Sequence, residues 1–227
     1  MKIIGLIGNI HSDSTITYYN YINEITHAKT ACSAKLIVHN LDFQELTELL
    51  QQQEYDSVSQ FLTDAAQSVE AAGAECLLLC SDILHPFANQ LQTSISIPIL
   101  HIEDAVIKEI QAADIHKVGL LGSQHITEQQ LYIDILTQAK IECLLSDIKD
   151  ERSLNQSLTD QDNRSLHQKL RNVTHTFAEK GTEGILLADH NLSSLSSLED
   201  FPIPIFDTAY LHAKTAVEFA FRETVLK

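Results

Sequence analysis

Short apolar runs alternate along this chain with longer segments in which apolar residues recur at helical spacing. The runs at 3–7, 35–39, 76–80, 97–101, 118–121, 141–145, 185–188 and 203–206 have the length and continuity of parallel strands buried on both faces. Between two of them, the segment 57–72 sets Val58, Phe61, Leu62, Ala65, Ala66 and Val69 along one helical stripe. Ser12, Asp13 and Ser14 are N-cap candidates for a helix running towards Asn23. Gly73 and Gly181 each follow a helical pattern, where a C-terminal cap belongs. Tyr18, Tyr19 and Tyr21 fit an amphipathic helix with one face on the core. Strand–helix alternation of this kind predicts an α/β protein with helices covering parallel sheet.

The alternation occurs twice. Ile4-Gly5-Leu6-Ile7-Gly8 returns as Val118-Gly119-Leu120-Leu121-Gly122, 114 residues later. Gly73-Ala74-Glu75-Cys76-Leu77-Leu78-Leu79-Cys80 returns as Gly181-Thr182-Glu183-Gly184-Ile185-Leu186-Leu187-Ala188 at an offset of 108, and Ile97-Pro98-Ile99 returns as Ile203-Pro204-Ile205 at 106. Three matches in the same order indicate two similar halves. The fold expected is two pseudo-symmetric lobes, each a mainly parallel four-stranded sheet flanked by helices. The first lobe comprises 1–100 plus 208–227, and the second 101–207. A last helix at roughly 208–225 packs back on the first lobe.

Composition adds exclusions. Of 227 residues, 44% are apolar and 20% charged, enough for a sizeable core. The formal charge of −16 repels nucleic-acid backbones and anionic lipid, so neither is expected as a partner. No stretch approaches the roughly 20 apolar residues of a membrane helix, and the N-terminus has no signal-peptide pattern. A cytoplasmic location is therefore expected. Cys32, Cys76, Cys80 and Cys143 form no C-x-x-C pair and read as buried small apolar side chains.

In open α/β sheets ligands bind beyond the carboxyl ends of the strands. The repeat defines four such exits: Gly8-Asn9-Ile10-His11, Cys80-Ser81-Asp82-Ile83-Leu84-His85, Gly122-Ser123-Gln124-His125 and Ala188-Asp189-His190-Asn191. Each puts polar or titratable side chains directly after an apolar run, and a two-lobed molecule is expected to gather them in a cleft between the lobes.

Over nearly its whole length the chain resembles the aspartate/glutamate racemase family. The matching stretches include Ile4-Gly5-Leu6-Ile7-Gly8, Ser14-Thr15-Ile16-Thr17-Tyr18-Tyr19, Leu41-Asp42-Phe43 and Leu100-His101-Ile102. Others are Val118-Gly119-Leu120-Leu121-Gly122, Glu128-Gln129 with Tyr132, and Phe206-Asp207-Thr208 with His212-Ala213. The resemblance implies cofactor-independent chemistry by two acid/base side chains, usually cysteines, on opposite faces of a substrate α-carbon. One cysteine belongs to a Cys-Asn-Thr-x-His pattern in the first lobe and the other to Gly-Cys-Thr-Glu in the second. Here Ser81 stands four residues before His85, and Cys80 lies one residue too early, a slip that turns a strand side chain to the opposite face. In the second lobe Asp189 takes the cysteine's place, and the internal repeat pairs Ser81 with Asp189 at the same offset of 108.

Ser81 and Asp189 are thus the candidate catalytic residues, facing each other across the cleft. Asn9, His11, Asp82, His85, Ser123, Gln124 and His190 are candidate substrate contacts. Asp207, Thr208 and His212 are assigned to organising the last strand–helix junction. The resemblance implies a small amino or carboxylic acid as ligand, no cofactor or metal, and a homodimer. A metal held by His11, Asp82, His85, Asp189 and His190 is an alternative use of the same side chains. So are decarboxylation, elimination or keto–enol isomerisation of a small carboxylate, and ligand binding without turnover.

Overall fold

The computed structural model describes residues 1–9, 14–122, 131–147, 154, 156, 163–188, 192 and 201–222. The described strands are β1 (Ile4–Asn9), β2 (Leu36–Leu41), β3 (Cys76–Leu79), β4 (Lys117–Gly122), β5 (Glu142–Leu145), β6 (Gly184–Ala188) and β7 (Ile205–Asp207). The described helices are α1 (Ser14–Thr30), α2 (Phe43–Gln51), α3 (Tyr55–Ala71), α4 (Ala88–Gln92), α5 (Ile102–Ala112), α6 (Leu131–Gln138), α7 (Asn163–Glu179) and α8 (Thr208–Phe221). A 3-10 turn, Asp82–Phe87, joins β3 to α4. The chain divides into two units, Met1–Ile102 with His212–Lys227, and Glu103–Leu211.

In the first unit the parallel order is β2-β1-β3. Every residue of β3 is buried, as a continuous apolar run on a central parallel strand requires. Val58, Leu62, Ala65, Ala66 and Val69 of α3 pack with Ile7, Leu77 and Leu79, so the helical stripe meets one face of the pleat. In the second unit the order is β5-β4-β6-β7, again parallel. Leu166, Leu170, Val173 and Phe177 of α7 pack there with Leu121, Ile185 and Leu187.

The sequence repeat is a repeat of register. Ile4 pairs with Cys76 and Ile7 with Leu79, while Val118 pairs with Gly184 and Leu121 with Leu187. Side chains repeat with it. Glu75 accepts the Ile3 N–H (2.8 Å) and Glu183 that of Lys117 (3.2 Å), so each carboxylate caps the start of a central strand. Helix and sheet touch closely at equivalent places, since a Cβ on Gly5 would run into Val69 and one on Gly119 would stand 2.5 Å from Phe177 Cδ1. Gly73 and Gly181 end α3 and α7 with φ of 102° and 76°, a left-handed turn that costs a side-chain-free residue little.

One expectation is corrected. Against the four strands expected in each sheet, the first has three among the described residues, because 97–101 contributes only an isolated bridge between Leu77 and Ile99. Residues 98 and 100 face β3, and there the Pro98 carbonyl and the Leu100 N–H each bond Leu77 (2.9 Å), but Pro98 has no N–H to extend the ladder. The N–H groups of Ser96 and Ile97 go to Glu70 Oε1 (2.8 and 3.1 Å), and that of Ile99 to Gln92 Oε1 (2.8 Å).

Candidate functional site

The exit of β3 begins at Cys80, whose N–H donates to Ile7 O (2.8 Å). Its side chain is buried, and a Cβ on Gly8 would lie 3.2 Å from Cys80 Cβ. Burial drives the Cys80 thiol far above its ordinary pKa. The same cause pushes Cys76 up to about 12 and Cys143 to about 11. None of the three offers a thiolate near neutral pH. Cys32 departs from the expectation of burial: it is exposed in the short link after α1.

Ser81 follows with extended backbone (φ −146°, ψ 134°) at the N-cap of the 3-10 turn, and it is half-buried. Its carbonyl accepts the Leu84 N–H (3.0 Å), while its hydroxyl makes no capping bond. The turn is thus closed by main chain and leaves that hydroxyl uncommitted to it. Asp82 is the first residue of the turn, and Asn9 ends β1 opposite Leu41.

Behind the turn lies a polar cluster inside the first unit. The His85 ring is buried and stands 5.7 Å from that of His212, tilted by 56°. His212, in α8, is fully buried and bonded at both nitrogens: Nε2 lies 2.6 Å from Leu100 O and Nδ1 2.9 Å from the Tyr18 hydroxyl. A carbonyl only accepts, so Nε2 carries the proton and Nδ1 accepts from Tyr18. Burial, with His101 adding repulsion against the bond to Leu100, holds His212 down at about 4. Burial and the neighbouring His212 and His101 keep His85 well below the ordinary histidine range. Both rings are neutral at pH 7.

Of Tyr18, Tyr19 and Tyr21, all expected on a core-facing helix, Tyr18 lies in the core, whereas Tyr19 is half exposed. It had not found Tyr18 as the hydroxyl donor to His212, 194 residues away. A buried histidine in the apolar stripe of the last helix was the available signal, and it names no partner. Asp207 does organise the junction after β7, since its Oδ1 accepts the Tyr210 N–H (3.1 Å) at the start of α8. His11, Ser123, Gln124, Asp189 and His190 lie outside the described residues.

Comparison with known proteins gives consistent matches. The model of the Asp/Glu/Hydantoin racemase family matches residues 7–216. A Yersinia pestis protein classed with the Asp/Glu racemases has a crystal structure that superposes with a TM-score of 0.86 at 32% identity, covering 98% of this chain and 100% of that one. An aspartate racemase homologue from Pyrococcus horikoshii superposes with a TM-score of 0.89 at 26% identity, over 98% and 100% of the two chains. The broad specificity amino-acid racemase RacX of Bacillus subtilis is 25% identical over 167 residues, 72% of this chain and 73% of RacX.

Proposed function

The chain belongs to the Asp/Glu/Hydantoin racemase family, and from that premise we propose that it is a cofactor-independent isomerase moving a proton at the α-carbon of a small amino or carboxylic acid. Asp189, as carboxylate, removes the α-proton, and Ser81 returns one from the opposite face. The observation that carries this reading is the repeated strand register. Residues 81 and 189 each come five positions after the first residue of β3 and of β6, the two strands paired alike to β1 and β4. The Ser81 hydroxyl, which makes no capping bond to its turn, supports it, as does the buried Cys80, which has no accessible thiolate to act in its stead. Asn9, His11, Asp82, His85, Ser123, Gln124 and His190 complete the proposed surroundings of the ligand. On the family resemblance, the protein works as a cytoplasmic homodimer. Among the described residues, no helix is long and apolar enough to cross a membrane.

A carboxylate is a weaker base than a thiolate, and an alcohol ionises far less readily than a thiol. That asymmetry favours a second reading, in which Asp189 alone drives a one-base reaction such as decarboxylation, elimination or keto–enol isomerisation. Deuterated water separates the two. L- and D-aspartate and glutamate incubated with the protein are expected to gain α-deuterium and to interconvert, whereas a single working base gives deuterium without inversion. Asp189→Ala is expected to abolish exchange and Cys80→Ala to keep most of it. Full exchange in the aspartate variant, or its loss in the cysteine variant, would overturn the assignment. Binding detected by thermal shift with no exchange at all would leave a ligand-binding relative.

A further inference from the structure

Resting on the reading just given, in which Ser81 is one of the two acid/base groups, we propose that His212 and Tyr18 are positioning residues that set the Ser81 turn through His85. Within the first unit the contacts form a closed circuit. β3 leads into Ser81, and the Leu77 carbonyl of that strand accepts the Leu100 N–H (2.9 Å). The Leu100 carbonyl in turn accepts His212 Nε2–H (2.6 Å), and Tyr18 donates to His212 Nδ1 (2.9 Å), which ties α8 to α1. The His212 ring then backs that of His85, inside the turn that Ser81 opens. Strand, loop, helix and turn are joined in a ring around the residue to be placed.

A neutral imidazole donating at one nitrogen and accepting at the other is fixed in tautomer and in ring plane. Tyr18, His85 and His212 are all buried, so water competes little with these bonds. The turn is held by main-chain bonds from the Ser81 and His85 carbonyls and by Leu84, Ile83 and Phe87, which pack into the core of the first unit. His85 lies in the middle of that turn, with the Leu79 main chain on one side and the His212 ring behind it, and His212 is the support that α8 brings to it. Neither Tyr18 nor His212 touches substrate on this account. They act through His85.

Two measurements test it. In the α-deuterium assay, Tyr18→Phe and His212→Leu are expected to lower kcat about tenfold or more with KM within about twofold, as a misplaced reacting group does. His212→Gln, which keeps a donor for Leu100 O, is expected to recover most of kcat. Equal losses in His212→Gln and His212→Leu, or a raised KM with kcat intact, would overturn the role. The second measurement needs no substrate, so it stands even if the unmodified chain shows no exchange and the proposed function fails. In Cys32→Ser/Ser81→Cys the introduced thiol is alkylated with iodoacetamide, the remaining native thiols being poor nucleophiles through burial. Adding Tyr18→Phe, or His212→Leu should that variant not fold, is expected to change the alkylation rate about threefold or more, and adding His212→Gln to change it less. An unchanged rate refutes the positioning circuit.

Discussion

A histidine that is neutral and buried in the native state takes up a proton when the chain unfolds below its ordinary pKa of about 6.5, so acid favours unfolding. His212 and His85 are both of this kind. Their folded-state pKa values are depressed, which makes their stability contribution complete above about pH 6.5 and progressively lost below it. For His212 the loss continues until about pH 4 and amounts to about 3 kcal/mol, at about 1.4 kcal/mol for each pKa unit. Urea unfolding followed from pH 7.5 down to 4.5 is expected to show this decline, with a shallower slope in His212→Gln. Parallel curves for the two proteins would remove His212 as the cause. Separately, Tyr18→Phe at pH 7.5 takes away the donor to a buried Nδ1 and is expected to cost about 1–3 kcal/mol. At this scale the sequence told only part of the story. Burial of Tyr18 followed from helical spacing, and Ser81 from counting back from His85. The bond between Tyr18 and His212 spans 194 residues, and no local pattern encodes it.

Between strands and helices, equivalent close joints lie at Gly119 and Gly5, where α7 and α3 rest against the central strands. Gly119→Ala is expected to destabilise by about 1–3 kcal/mol through overpacking, since its Cβ would stand 2.5 Å from Phe177 Cδ1. Combining it with Phe177→Leu tests the joint itself. Denaturant unfolding should find the double variant less destabilised than the two single changes added together, and strict additivity would mean that the contact is not the cause. The offsets of 114 and 108 made these paired positions visible before any coordinates, because glycine is scarce and its spacing recurs. The run 97–101 was less legible. Its apolar residues resemble a strand, but a ladder needs an N–H at each alternate residue facing the neighbour, and here only Leu100 supplies one, to Leu77. Pro98 was the one local warning.

Taken whole, the molecule carries 15 basic against 31 acidic residues. Like charges held in a folded chain repel, and salt shortens the reach of that repulsion to about 8 Å at physiological ionic strength. The melting temperature is therefore expected to rise as sodium chloride goes from low to physiological concentration at pH 7.5, and calorimetry checks it. A flat or falling response would mean that local ion pairs such as Lys117–Glu142 outweigh the net charge. The α/β class and the internal duplication were both readable from end to end, since burial on two faces of parallel sheet leaves continuous apolar runs. Sheet width was not, because it depends on hydrogen-bond partners drawn from distant segments.

The first unit is assembled from two stretches of chain more than 100 residues apart, with the Lys2 N–H bonded to Ala220 O (2.9 Å) and His212 supplied by α8. A nascent chain therefore exposes Met1–Ile102 to the cell long before the ribosome has made the piece that finishes it, whereas everything in Glu103–Leu211 is already synthesised by then. Chaperones meeting this protein during translation would find their substrate in Met1–Ile102, and termination just before codon 212 would leave that stretch permanently unsealed.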